Sequence, residues 1–204
     1  MTQNSTLRTL AGLHVPYARH PAVRQLKRQG HLPSIHGTKL WGASHILIDF
    51  LSKDLADPPR SIIDVGCGWG LAGIWCAKTY GAEVAAVDAD PNVMPFLQLV
   101  ADLNDITVTS VVARFEDLQE DLLASTDWLI AADICFWDEL IEPVTNMIAR
   151  ASKSGTRRII IADPQRAPFL CVAETILQEY GGELIEWRTD NTRTAGALLV
   201  IENE

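Results

Sequence analysis

Three glycines at alternate positions, Gly66, Gly68 and Gly70, follow Asp64 in the stretch SIIDVGCGWGLAGIW, residues 61–75. Without Cβ atoms this backbone can turn sharply and come close to a bound group. A phosphate-cradling Walker loop needs a Gly-Lys-Ser/Thr ending, and Gly70-Leu71-Ala72 supplies no lysine, so that reading is excluded. The dinucleotide fingerprint is G-x-G-x-x-G, whereas the spacing here is G-x-G-x-G with Leu71 where the third glycine belongs. Asp64 is the more telling residue. Its carboxylate would face a pyrophosphate unfavourably, but it suits a cationic ligand such as the ammonium group of an amino acid.

Such a turn needs a strand feeding it and a helix leaving it. From Ser61 onward, short β-like runs alternate with helix-like spacing. Strands are expected at 61–65, 83–88, 107–113, 128–133, 158–163, 183–188 and 196–203. The first five are continuous apolar runs, as expected of strands buried on both faces of a parallel sheet. Ile74, Trp75, Lys78, Thr79 and Tyr80 mark a helix ending at Gly81, a C′ glycine. Asp90-Pro91 offers an N-cap with proline at the first helical position, although Pro95 shifts that start if it must lie outside the helix interior. Val144, Met147, Ile148 and Ala151 mark one later helix; Leu170, Ala173, Ile176 and Leu177 mark another. Only TDNTRTA separates the last two strands, so they should form an antiparallel hairpin. Upstream, 41–55 reads as an extra helix with Leu47, Phe50 and Leu51 on one side. The pattern is that of an α/β sandwich with a mostly parallel sheet, whose ligands gather at the carboxyl ends of the strands.

Hydrophobic residues make up 48% and charged ones 21% of the 204 residues, a globular balance that allows one domain with a substantial core. No apolar run reaches the roughly 18 residues of a membrane span. The start lacks the charged-then-apolar build of a secretory signal and only faintly resembles a transit peptide, so it is expected to belong to the mature protein. Cys67, Cys76, Cys135 and Cys171 include no C-x-x-C pair. Neither a zinc site nor a disulfide framework follows, and reduced thiols in a cytoplasmic protein are expected. Charge is uneven. Before Asp49 the chain carries six basic residues and no acid, so a net charge of −9 leaves −15 on the remainder. The basic N-terminal segment is expected to dock on the chain's own acidic body, since such a body is poorly suited to nucleic acid.

Asp64-Val65-Gly66-Cys67-Gly68-Trp69-Gly70 resembles the D-x-G-x-G-x-G motif of class I S-adenosylmethionine-dependent methyltransferases, and Asp88 lies eighteen residues past Gly70. The resemblance covers residues 37–204. It implies a Rossmann-like three-layer sandwich, a seven-stranded mostly parallel sheet whose antiparallel seventh strand is inserted beside the fifth. The domain organisation it suggests is a basic arm or lid at 1–39 and a methyltransferase domain at 40–204. It further implies that Asp64 and the backbone at Gly66 and Gly68 hold the methionine part of S-adenosylmethionine, that Asp88 takes the ribose, and that Phe115 lies beside the adenine. Many relatives place an acid where this chain has Arg114; Glu116 or Asp117 would replace it.

The methyl acceptor should be read at the end of the fourth strand, AADICFWDEL, residues 131–140. Base-amine methyltransferases carry Asn/Asp-Pro-Pro-Tyr/Phe there, and Asp133-Ile134-Cys135-Phe136 has neither proline. It resembles instead the D-x-x-Y/F motif of the seven-strand protein-lysine methyltransferases, a group that includes those acting on the β subunit of electron transfer flavoprotein. Lys39-Leu40-Trp41 resembles a family segment that begins with tryptophan, and Asp163-Pro164-Gln165-Arg166 resembles that group's Asp-Pro-Gly-Arg, with Gln165 departing from it. The resemblance implies that Asp133 orients the acceptor amine at the cofactor mouth, with Trp41, Phe136 and Trp137 forming an apolar wall that favours a methylated cation. Competing expectations are a helix-capping role for Asp133, core packing for Trp137, a small amine or heteroaromatic as acceptor, and a cofactor-binding scaffold without catalysis. His14, His20, His31, His36 and His45 match no metal-ligand spacing. His36, in HGTKLW, is the one placed for a role at the site; the others are expected on the surface.

Overall fold

The computed structural model describes residues 6–34, 42–190 and 194–203. Its centre is a seven-stranded sheet. In chain order its strands are β3 (Ser61–Val65), β4 (Glu83–Asp88), β5 (Thr109–Val112), β6 (Trp128–Ala132), β7 (Arg158–Asp163), β8 (Glu183–Arg188) and β9 (Ala195–Glu202). They lie in the order β5-β4-β3-β6-β7-β9-β8, with β9 antiparallel to both neighbours and the remaining pairs parallel. The chain order reverses between β3 and β6, so the crevice where an open sheet binds ligands opens beside the glycine turn. The last two strands are the expected hairpin, and β9 is inserted beside β7.

Alternate side chains of each central strand serve opposite faces. Ile62, Ile130, Ile160 and Leu198 meet α2 (Gly42–Leu51), α3 (Leu71–Tyr80) and α4 (Met94–Asp102). Ile63, Leu129, Ile161 and Leu199 meet α6 (Ile141–Ser154) and α7 (Ala167–Tyr180) on the other face, along which the short α5 (Glu120–Ala124) also lies. Val144, Met147, Ile148 and Ala151 are the buried stripe of α6, as their spacing predicts. Gly81, with φ of 69°, ends α3 in the left-handed conformation.

Several expectations need correction. The third expected strand is a four-residue edge strand, β5, with Val112 55% exposed, because it has a neighbour on one side only. The fourth stops at Ala132, where Asp133 turns to a φ of 66°. The final strand spans Ala195–Glu202. Helix α4 starts at Met94, one turn after Asp90-Pro91. Its Pro95 sits in the first turn, where a missing N–H is harmless, while the Asp90 side chain accepts from Asn92 N at 2.9 Å in a local turn. On α7 the buried positions are Phe169, Val172, Ala173 and Ile176, and Leu170 is 41% exposed. The helix expected over 41–55 covers Gly42–Leu51, and it also buries Ala43, Ile46 and Ile48, because it is sandwiched between the sheet and α3.

The basic segment folds onto the body. Its β1 (Leu7–Leu10) and β2 (Leu13–Pro16) pair as a hairpin through Ala11 and Gly12, both at positive φ, and α1 (Pro21–Arg28) follows. The anchoring is apolar and hydrogen-bonded. Leu13, Val15 and Val23 are fully buried in the same core as α2 and α3. His14 N donates to Asn104 Oδ1 at 2.8 Å and Asn104 Nδ2 donates back to His14 O at 2.9 Å, while Arg24, Lys27 and Arg28 stay exposed. Leu13→Ala is therefore expected to lower the unfolding free energy by about 2–5 kcal/mol. Arg24→Ala should change it by less than about 0.5 kcal/mol. Urea denaturation of the two variants checks this ranking.

Candidate active site

The turn after β3 carries Gly66, Gly68 and Gly70 at φ values of 66°, 53° and 76°. In that left-handed region a side chain is strained. A Cβ on Gly66 would lie 2.5 Å from Ile134 Cγ2, and one on Gly70 would run into Leu97, whereas one on Gly68 would meet nothing within 4 Å. Two glycines thus allow tight packing beneath the loop, and the third faces open space.

Asp64 lies under this turn, 2% exposed, and its Oδ2 accepts from Gly73 N at 2.9 Å. Gly70, the residue at the N-cap of α3, has no side chain to cap with, so Asp64 supplies the acceptor for the first turn. Burial pushes its carboxyl up to about 7, against the Gly73 bond and with help from Asp88. Asp88 closes β4 half-buried, its Oδ2 accepting from Gly68 N at 3.1 Å and its Oδ1 from Asp90 N at 3.0 Å. Burial holds it above the ordinary carboxylate range although these bonds oppose the shift. Asp90 in turn accepts from Ser34 N at 2.5 Å and Ser34 Oγ at 2.9 Å, which fastens the N-terminal segment beside the glycine turn. Phe115, just past β5, is half-buried against the α6 side of the core. Arg150 braces that loop by donating to the carbonyls of Phe115, Glu116 and Leu118, a role that nothing in the local sequence signals.

A second cluster forms at the ends of β6 and β7. Asp133 is 3% exposed, and its backbone N–H continues the ladder to Ala162 O at 2.9 Å. Arg166 Nη1 forms an ion pair with Asp133 Oδ1 and another with Asp163 Oδ2 at 2.8 Å. The Arg166 guanidinium carbon also sits 5.1 Å from the centroid of the Phe136 ring. Burial pushes Asp163 up to about 6, opposed by Arg166 and assisted by the negative charge of Asp133. Desolvation drives the Cys135 thiol up to about 12, with Asp163 adding to it. Gln165 takes a φ of 69°, and its side chain reaches Gly196 O at 3.3 Å. Asp133 does not cap a helix: the turn that follows, Asp138–Leu140, has no side-chain cap. Trp137 is no core residue either, being 46% exposed, with its ring 5.9 Å from that of Phe136. Trp41 and His36 lie outside the described residues. His20 caps α1 through Nδ1, and His45 is half-buried, with burial and then Arg8 holding its pKa down, so neither is a freely solvated surface group.

The two clusters touch. Ile134, inside the Asp133–Phe136 motif, is the residue packed on Gly66, so the loop after β6 runs directly over the glycine turn.

Residues 24–170 match the model of a family described as lysine methyltransferase. The chain belongs to that family. Membership makes the domain a methyltransferase whose methyl donor is S-adenosylmethionine. The chain is 27% identical over 124 residues to the electron transfer flavoprotein β subunit lysine methyltransferase of Xenopus laevis, a match covering 58% of this chain and 50% of that protein. It is 30% identical over 112 residues to the ribosomal protein L11 methyltransferase of Psychrobacter sp., over 54% of this chain and 35% of the other. The chain thus spans half or less of the length of these curated relatives. The crystal structure of the ribosomal protein L11 methylase from Lactobacillus delbrueckii subsp. bulgaricus superposes with a TM-score of 0.58 at 18% identity, covering 79% of each chain, which shows the shared fold.

The site fits S-adenosylmethionine on its own geometry. Gly68 leaves open space where a Cβ would stand, the Asp88 carboxylate oxygens each retain acceptor capacity, and the buried Asp64 puts negative potential beneath the loop. Among the described residues no helix is long and apolar enough to cross a membrane.

Proposed function

We propose that this domain methylates the Nζ of a lysine side chain in a protein. The observation that carries the reading is the seating of Ile134 on Gly66, which sets the Asp133–Phe136 motif against the turn assigned to the methyl donor. Bound S-adenosylmethionine supplies an electrophilic methyl group on a sulfonium. Gly66, Gly68 and Gly70 shape its cradle, Asp88 accepts from its ribose hydroxyls, and Phe115 lies beside its adenine. Asp64 acts through its field rather than by contact, since it is buried and already capping α3.

The acceptor must arrive as a neutral amine, because an ammonium has no lone pair to offer. Asp133 accepts an N–H hydrogen bond from that amine and aims its lone pair, and positioning supplies most of the rate in so simple a displacement. Phe136 and Trp137 offer ring faces to the methylated cation. The Ser34–Asp90 contact places the basic segment at the mouth of the cleft, which supports a lid role for residues 1–39. Four free thiols suit a cytoplasmic setting.

The test is incubation with tritiated S-adenosylmethionine and four acceptors: the electron transfer flavoprotein β subunit, ribosomal protein L11, a size-fractionated cell extract and n-butylamine. Methyl-lysine in a discrete protein is the expected result. Label confined to small molecules overturns the proposal.

A further inference from the structure

Resting on the reading of Asp133 as the acceptor site, we propose that Arg166 is the specificity-determining residue that keeps free small amines out of it. The two features suited to recognising an alkylammonium, a buried carboxylate and an aromatic face, are both already engaged by this one side chain. Its Nη1 pairs with Asp133 Oδ1, and its guanidinium carbon stands 5.1 Å from the Phe136 ring centroid. Asp133 is 3% exposed. An amine that is to reach the paired oxygen must displace the guanidinium.

Displacement has somewhere to go. Arg166 is also held by Asp163, through Nη1 at 2.8 Å and through its own backbone N–H to Asp163 Oδ1 at 2.8 Å. The guanidinium is about one-quarter exposed, on the solvent side of the pair. When an amine takes Asp133, Arg166 keeps Asp163 and no buried carboxylate is left without a cation. The other groups around the cluster do not compete. Cys135 keeps its proton, and β9 presents Gly196 and Ala197. Of the titratable residues on α2, His45 lines a cavity with β1, and Asp49 is engaged by Lys53 and Trp187.

A tethered cation competes at the millimolar effective concentrations typical of intramolecular partners. A free amine has only its own ammonium and stem with which to overcome that. A lysine on a docked protein can draw on contacts made elsewhere on the surface, and remote binding energy can be used for local displacement. Arg166 thereby converts a site that would accept any alkylamine into one that opens to an amine delivered by a macromolecule.

The experiment measures binding of n-butylammonium at pH 7.5 through the Trp137 indole resonance, which reports on the neighbouring Phe136 ring. Arg166→Gln is expected to bind it about tenfold or more tightly than wild type. Guanidinium ion should compete in the variant, and a further Asp133→Asn should abolish binding. If Arg166→Gln does not fold, the Asp163→Asn/Arg166→Gln pair removes the second unpaired carboxylate and gives the same readout. Equal, Asp133-dependent binding in wild type and variant would overturn the role of Arg166 and leave the acceptor reading standing. A folded variant that binds no n-butylammonium would overturn both.

Discussion

Asp64→Asn is expected to raise the melting temperature of the ligand-free protein at pH 8, with the gain shrinking toward pH 4. The carboxyl is pushed up to about 7 chiefly by burial. A raised folded value means that between pH 4 and 7 the unfolded chain has released a proton that the native chain still holds. Stability is therefore fully present below the unfolded value and is lost as pH rises through the folded one. The distance from an ordinary carboxylate to about 7 sets an upper limit of about 4 kcal/mol on the loss at pH 8. Asparagine keeps an oxygen for Gly73 N while removing the charge, so it should recover most of that, or about 5–10 °C in a domain of this size. The same substitution removes the negative potential under the glycine turn, so affinity for the cationic donor should fall by about tenfold. Thermal melts at pH 8 and pH 4, with a titration of the cofactor, separate the two effects. A variant less stable than wild type at pH 8 would show that Asp64 serves the fold alone, and the sign of its pH dependence would be lost with it.

Such a residue was legible from its place in a motif but not from its surroundings. Asp64 two residues before Gly66 marks a site for a cationic ligand; that it also caps α3 follows only once Gly73 is folded back over it. The same division runs through the fold. Strands 61–65, 83–88 and 158–163 match their apolar runs because they are covered on both faces, and burial is what an apolar run encodes. Val111 and Val112 carry the same composition yet fall on an edge, since a strand's neighbours are set by topology. The β1–β2 hairpin escaped notice because four-residue strands joined by Ala11-Gly12 carry none of the Asn-Gly signal of such turns. Arg166 is the clearest case. Its resemblance to a family motif was visible, but its bridge from Asp163 to Asp133 depends on β6 and β7 being neighbours in register, with Ala132 opposite Ala162.

That bridge shapes the outcome expected for Asp133→Asn. The side chains are the same size, and Arg166 keeps its bond to Asp163 at 2.8 Å, so the protein should remain folded. Loss of one ion pair from a partly exposed guanidinium should lower stability by about 1–2 kcal/mol, less than the loss for a pair buried at both ends. The cradle is untouched, with Asp88 still bound to Gly68 N at 3.1 Å, so cofactor affinity should stay within about twofold. Methyl transfer should fall by about a hundredfold or more, because an amide oxygen is a weaker acceptor for the amine and its NH2 group can point the wrong way. The loss should appear in kcat more than in KM, since aiming the lone pair matters most at the transition state. A variant that loses cofactor binding along with activity would place Asp133 in the architecture of the cleft. Full activity with weakened stability would remove it from the chemistry and return the acceptor question to the loop that follows.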